Sequence, residues 1–232
     1  MRNSGIGKKI IILVLILAVP GFLYYLLTVG GKNRYKSLPF FGPKVLAKTS
    51  HKFHGTVIPD TIFHKLPAFT LTDQEGKVIT DSSFANKIFI ASFFYTGCGN
   101  ACDVINENVR KLAVTYQKNN MVRFVSITVD PEHDQPLMLK HYAEKFKLPA
   151  SKWLFLTGDT TQVYNLAQNG FLLNAAKMPD GQFVFNDKLV LIDAEKRIRG
   201  YYPGNKIQEI ARLNDEIKVL ISEELRKIKA PN

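Results

Sequence analysis

The run Lys87-Ile-Phe-Ile-Ala-Ser-Phe-Phe-Tyr95, followed directly by Thr96-Gly97-Cys98-Gly99-Asn100-Ala101-Cys102-Asp103, decides how this chain folds. Lys87 to Tyr95 is almost continuously apolar and rich in β-branched and aromatic residues, the pattern of a strand buried on both faces. It delivers the chain into a loop that carries both cysteines of the protein. A helix is expected next, from about Asn100 to Lys118, with Val104, Val109, Leu112 and Tyr116 on its inner side. Val122 to Val129 reads as a second buried strand, ending at Asp130-Pro131. Two such strands joined by a helix end at the same edge of one sheet, so Cys98 and Asp130 are expected close together. That edge is where α/β sheets place their sites.

Working outward, Phe69 to Thr80 reads as a hairpin around Gln74, Glu75 and Gly76. Pro136 to Phe146 predicts a helix opened by its proline. Trp153 to Leu156 is a short strand, and Thr160 to Asn169 a helix that Gly170 suits as a stop. Lys188 to Asp193 and Arg197 to Tyr202 form a second expected hairpin. Lys206 to Lys229 is a long amphipathic helix, its Ile207, Ile210, Leu213, Ile217, Leu220, Ile221, Leu225 and Ile228 recurring at steps of three and four. This order is mixed α/β. A cysteine-bearing loop between the first buried strand and its helix points to a thioredoxin-like fold.

Toward the N-terminus, Ile10 to Val29 is an uncharged run long enough to cross a hydrocarbon core. Pro20 and Gly21 in its middle are tolerated in spanning helices. No small-x-small site follows it, so an uncleaved anchor is expected rather than a signal peptide. Lysines and arginines flank both ends, and the positive-inside rule does not choose an orientation. A short N-terminus left in the cytoplasm would export the domain, giving a single-pass protein of a bacterial-type cytoplasmic membrane with its domain on the periplasmic, outer side. Gly30 to about His64, with Pro39, Gly42, Pro43 and Pro59, reads as a linker. The expected organisation is therefore a short basic N-terminus (1–9), a transmembrane anchor (10–29), a linker (30–64) and a thioredoxin-like domain (65–232).

The 31 lysines and arginines against 20 acids leave a net charge of +11. The basic residues are interleaved with acids, as in Asp215, Glu216 and Lys218, and no nucleic-acid motif accompanies them. The charge is read as a solvated surface beside anionic lipid, with no nucleic-acid partner. Two cysteines are too few for a disulfide scaffold. Spaced C-x3-C in the first turn of a helix, they would share one face with Cβ atoms roughly 5–6 Å apart. Such a pair can close a disulfide or pinch one soft metal ion, and the helix N-terminus favours their thiolates. Asp103 opposes that for Cys102. The bland alternative is a structural disulfide or two inert thiols.

The cysteine loop Phe93-Phe94-Tyr95-Thr96 with Cys98 and Cys102 resembles that of the Sco/SenC family. Three further segments are similar to the family's other motifs: Ser126 to Pro131 with Asp134 and Pro136; Trp153 to Gly158; and Leu189 to Asp193 with Arg197 to Tyr202. So is Leu38 to Pro43. The resemblance implies a membrane-anchored thioredoxin-fold protein that delivers copper, exchanges thiols and disulfides, or both, during cytochrome c oxidase assembly. It implies Cys98 and Cys102 as redox pair and copper ligands, and a cytochrome oxidase subunit or another thiol protein as partner.

Two positions depart from the family pattern. Asp103 stands where a proline usually follows the second cysteine. Phe185 stands where the family has a histidine as third copper ligand, and a phenylalanine cannot ligate. Two thiolates still suit Cu(I) better than Cu(II). His133 and Met178 are the candidate substitutes for a third ligand, against plainer readings as loop residues. His51, His54, His64 and His141 lack metal-ligand spacing with the cysteines. A pure thiol–disulfide oxidoreductase and a scaffold that has lost its metal site stay open beside the copper reading. A thiol peroxidase is disfavoured, because Thr96 lies one residue too close to Cys98 and no proline precedes it in the strand.

Overall fold

The computed structural model describes residues 4–29, 37–53 and 56–229. They divide into two compact units, split at residue 37. The first is one helix, α1 (Ser4–Val29), with Pro20 inside it. Its stretch Gly7–Leu26 has a mean hydropathy of 2.3 and buries nothing within the protein, so it is long and apolar enough to cross a membrane.

The second unit opens with a hairpin of β1 (Lys44–Phe53) and β2 (Thr56–Phe63), in the segment expected as linker. Its side chains are mostly exposed, so neither strand shows the apolar alternation that announces a half-buried one. Pro59 is tolerated because the ribbon has only two strands, both of them edges. The remaining elements follow in chain order: β3 (Thr70–Asp73), β4 (Val78–Thr80), β5 (Ile88–Phe94), α2 (Asn100–Thr115), β6 (Val122–Thr128), α3 (Pro136–Glu144), β7 (Trp153–Thr157), α4 (Thr160–Asn165), β8 (Ala175–Lys177), β9 (Phe183–Phe185), β10 (Lys188–Ile192), β11 (Ile198–Pro203) and α5 (Ile207–Lys229).

Seven strands form the main sheet in the order β11-β10-β5-β6-β7-β3-β4. β5, β6 and β7 run parallel, and β10, β11, β3 and β4 add antiparallel pairings on the two sides. Every residue of β5 is buried. Because successive side chains point to opposite faces, Ile88, Ile90 and Phe94 join a core with Ile105 and Val109 of α2, Leu139 of α3, and Leu213, Ile217 and Leu220 of α5. Phe89, Ala91 and Phe93 join the opposite core with Val163 of α4, Leu166 and Phe171. Burying side chains of this size contributes about 1.5–3 kcal/mol each, which fixes β5 in the interior of the sheet, between β10 and β6. The whole sheet and both cores lie within residues 37–232, which gives this unit what a domain needs to fold alone.

Three local expectations are corrected. On α2 the inner face carries Ile105, Val109, Leu112 and Ala113, whereas Val104 is exposed; the phase is set by Cys102, which is buried at the helix start. The helix expected over Thr160 to Asn169 is α-helical only to Asn165, then widens into a π-turn over Leu166–Gly170. The segment before Phe185 was expected as loop and is the separate β8–β9 hairpin.

The start of the second unit is tied to its end. Arg199, almost wholly buried on β11, donates to the carbonyls of Leu38 at 2.6 Å and Pro39 at 3.2 Å. It also pairs with Glu223 of α5 at 2.7 Å and with Asp193 at 3.3 Å. Glu223 in turn accepts the Leu38 N–H at 2.8 Å. Desolvating this arginine is tolerated because each of these acceptors faces it.

Candidate functional site

β5 ends at Phe94, and the chain makes a 3₁₀ turn over Thr96–Cys98 before α2 begins at Asn100. The Cys98 N–H donates to the Tyr95 carbonyl at 3.1 Å and closes that turn. Gly99 separates the turn from the helix with φ 69° and ψ −149°, a conformation open to glycine alone. Cys98 and Cys102 are joined in a disulfide with Cα atoms 5.7 Å apart. The two sulfurs thus bridge the helix entrance, one in the turn ahead of it and one in its first turn. Their surroundings differ. Cys102 is buried among Phe94, Ile105 and their neighbours, while Cys98 is half-exposed.

The loop after β6 holds the cysteine loop in place. The Val129 N–H donates to the Phe94 carbonyl at 2.8 Å, which continues the parallel pairing past the strand ends. Asp134, almost fully buried, accepts the Thr96 N–H at 3.0 Å and the hydroxyls of Thr96 and Thr128. The Asp130 N–H donates to the Thr128 hydroxyl oxygen of the same network at 3.0 Å, and the Asp130 carboxylate holds His133 Nδ1 at 2.9 Å. The expected meeting of both strand ends at one edge is therefore realised through Thr96 and Asp134. Asp134 entered the sequence reading only as part of a motif. The signal that could have singled it out is a threonine at the end of each of two adjacent parallel strands with one carboxylate six residues on.

Asp103 is exposed and paired with Lys145 at 2.9 Å. The Lys145 ammonium lies 3.8 Å from the Tyr142 ring centroid, and Tyr142 stacks on Phe94 at 5.2 Å. Burial works to lower the Lys145 pKa, but the hydrogen bond to Asp103 and the proximity of Tyr142 carry it above its usual value. Lys145 therefore offsets the carboxylate expected to disfavour the Cys102 thiolate.

On the other side of the loop, Phe185 meets the Tyr95 ring edge-on at 5.9 Å and Phe183 meets it at 4.9 Å. The position expected to hold a ligating imidazole is thus an aromatic packing contact with the residue three before Cys98. Met178 lies at the tip of the β8–β9 hairpin, where its N–H donates to the Gln182 carbonyl at 2.7 Å. It is three residues along β8 from the Ala175–Phe185 pair, roughly 10 Å at strand spacing. His133 is well exposed and turned to Asp130. That hydrogen bond and the charge on Asp130 raise its pKa above the usual value. His64 Nε2 is engaged by the Gly170 carbonyl at 2.7 Å, and His141 lies 3.7 Å from Glu144. His54 lies outside the described residues. Among the described residues, no three His, Cys, Asp or Glu side chains converge on a metal-sized site. The donor set at the helix entrance is two sulfurs, a set that fits Cu(I) when reduced and lacks the imidazole that Cu(II) prefers.

A bonded cysteine pair at the end of a central parallel strand, opening the next helix of a sheet covered on both faces, defines a thioredoxin-like protein. The chain belongs to the SCO1/SenC family, whose model matches residues 61–222. It is 28% identical over 154 residues to the SCO1 protein homolog of Bacillus subtilis, covering 65% of this chain and 79% of that relative. It is similar in structure to BsSco, a member of the Sco family of cytochrome c oxidase assembly proteins with a disulfide switch: TM-score 0.60, 26% identity, 67% of this chain and 92% of that one. It is also similar to Bradyrhizobium japonicum ScoI with copper bound: TM-score 0.56, 27% identity, 65% of this chain and 97% of that one.

Proposed function

We propose that this chain is a membrane-anchored assembly factor for cytochrome c oxidase that acts through Cys98 and Cys102 by thiol–disulfide exchange, with Cu(I) as a second ligand of the same reduced pair. The observation that carries this reading is the asymmetry of the bond: Cys98 is half-exposed and Cys102 is buried behind it. In the reduced protein the Cys98 thiolate attacks one sulfur of a partner disulfide, forming a mixed disulfide and releasing the partner's other sulfur as a thiolate. Cys102 then attacks the Cys98 sulfur, closes the Cys98–Cys102 bond and releases the partner's second thiolate. Two electrons pass to the partner, and an external dithiol must restore the pair.

Phe185 weights the reading toward exchange over copper delivery, because it removes the third donor while leaving both sulfurs. Cu(I), which accepts two soft ligands, is the copper state the pair suits; copper-bound relatives support copper as cargo. Residues 10–29 serve as the single membrane span, with the domain on the periplasmic side of the cytoplasmic membrane, where an oxidising compartment lets such a bond persist.

The test uses the full chain in detergent, reduced under anaerobic conditions. It is titrated with a redox buffer and separately with Cu(I), with Cys98→Ser and Cys102→Ser as controls. A reversible two-electron couple lost in both variants supports exchange, and Cu(I) retention lost in both supports the cargo role. Neither behaviour in the wild type overturns the proposal.

A further inference from the structure

We infer that the β1–β2 hairpin is a membrane-surface contact, whose lysines and exposed aliphatic side chains rest on the anionic headgroups of the bilayer that α1 enters. This rests on the anchor reading above. The hairpin contains Lys44, Lys48 and Lys52, all exposed, against a single carboxylate, Asp60, and Lys65 follows it. It also exposes Val45, Leu46, Val57, Ile58 and Ile62, each between 39% and 69% accessible. Lys44, Leu46 and Lys52 pair with Phe63, Thr61 and Val57, so by the alternation of β2 Lys44, Leu46, Lys52 and Val57 share one face of the ribbon, while the Val45–Ile62 pair and Ile58 lie on the other. Lysines mixed with aliphatic residues are the composition of interfacial lipid binding.

Among the described residues, this ribbon pairs with no strand of the main sheet and forms a two-stranded sheet of its own. Its base is fixed: Phe63 stacks on Phe40 at 4.2 Å, with the Lys44 ammonium 5.7 Å from the Phe63 ring centroid. A bare two-stranded ribbon is marginal in water and gains from a surface to lie on. Addition of a further strand from a second copy fits poorly. Pro59 removes an N–H from one edge, the register breaks between Leu46 and Ser50 on the other, and lysines line β1. A protein partner fits no better, since lysine is depleted at protein interfaces.

Proximity favours the lipid. Fourteen residues lie between Val29, the end of α1, and Lys44, so the tether reaches at most about 50 Å. A surface held that close meets the hairpin at high effective concentration.

The test is vesicle flotation of residues 37–232, without α1. The fragment is expected to float with phosphatidylglycerol-containing vesicles, to stay behind with neutral phosphatidylcholine, and to be released by salt. Combining Lys44→Glu, Lys48→Glu and Lys52→Glu should weaken binding about a hundred-fold, roughly five-fold per lysine. Combining Leu46→Ser and Val57→Ser, on the lysine face, should weaken it while keeping the salt dependence. Unchanged melting and an intact Cys98–Cys102 bond verify that each variant is folded. The inference is overturned if the wild type does not float, if the charge variant floats equally, or if the fragment is instead a dimer that the serine variant dissolves. Retention of the full chain in alkali-washed membranes tests α1 separately. Its failure with flotation intact sinks only the anchor, and the reverse sinks only the hairpin.

Discussion

The buried carboxylate of Asp134 accepts the backbone N–H of Thr96 at 3.0 Å, two residues ahead of Cys98. The position of the outer sulfur is thereby set from the loop after the neighbouring strand as well as from its own turn.

Removing that carboxylate should be felt in both stability and redox behaviour. Asp134→Ala leaves the Thr96 N–H and two hydroxyls without their acceptor, and is expected to destabilise the domain by about 3 kcal/mol. Denaturant unfolding measures the loss. A shifted Cys98–Cys102 reduction potential in the same variant separates a loosened cysteine loop from a general loss of stability. An unchanged midpoint would remove Asp134 from the support of the site.

The unequal exposure of the two sulfurs predicts an order of reaction. After reduction, a brief pulse of iodoacetamide should label Cys98 first and predominantly, as read by peptide mass spectrometry. Cys102→Ser should leave Cys98 trapped as a mixed disulfide with its partner, whereas Cys98→Ser should trap nothing. Equal labelling of the two would contradict the assigned roles.

Gly99→Ala probes the break between turn and helix. A Cβ there meets no atom within 4 Å, so the cost is purely that of the backbone at φ 69°, ψ −149°. The expected destabilisation is about 1–3 kcal/mol, seen as a lower melting temperature of the oxidised protein. A neutral result would mean that the turn relaxes freely.

Phe185→His places an imidazole where the ring now packs on Tyr95. The variant should gain Cu(II) affinity by more than the roughly 10–100-fold that a supporting outer partner supplies. A thiolate-to-copper absorption band, absent from the wild type, reports it. Equal Cu(II) binding by the wild type would show that another donor already serves.

His133 should titrate above the usual 6.5 because Asp130 hydrogen-bonds its ring and favours the charged form. Its contribution to stability is then fully present below that usual value and is lost as pH rises through the raised folded value. Proton NMR of the ring follows the titration, and Asp130→Asn should return it to the ordinary range. A His133 titration unmoved by that change would break the assignment.

Much of this architecture was legible in the sequence because burial writes a pattern. The unbroken apolar runs of β5 and β6 and the three–four spacing of α5 could be read directly, and so could the cysteines between strand and helix. What could not be read leaves no such pattern. β1 and β2 form a largely exposed ribbon, and strands without a buried face look like loops, while β8 and β9 are only three residues each, too short to show a period. Val104 was misplaced because Val104 and Ile105 are adjacent and both apolar, and only the burial of Cys102 sets the helix phase. At the site, the cysteine pair was visible from its spacing. The strap from Asp134 and the neutralising Lys145 were not, since each comes from 36 or more residues away in the chain.

The knot formed by Leu38, Arg199 and Glu223 has a bearing on where this protein can be cut. A soluble piece that starts at Lys44, the first residue of β1, discards both carbonyls that Arg199 donates to and the N–H that Glu223 accepts. It would leave a cation with 1% exposure facing fewer acceptors, beneath a C-terminal helix stripped of its neighbour. Trimmed proteins that keep Ser37 onward retain the natural closure of the chain's beginning on its end.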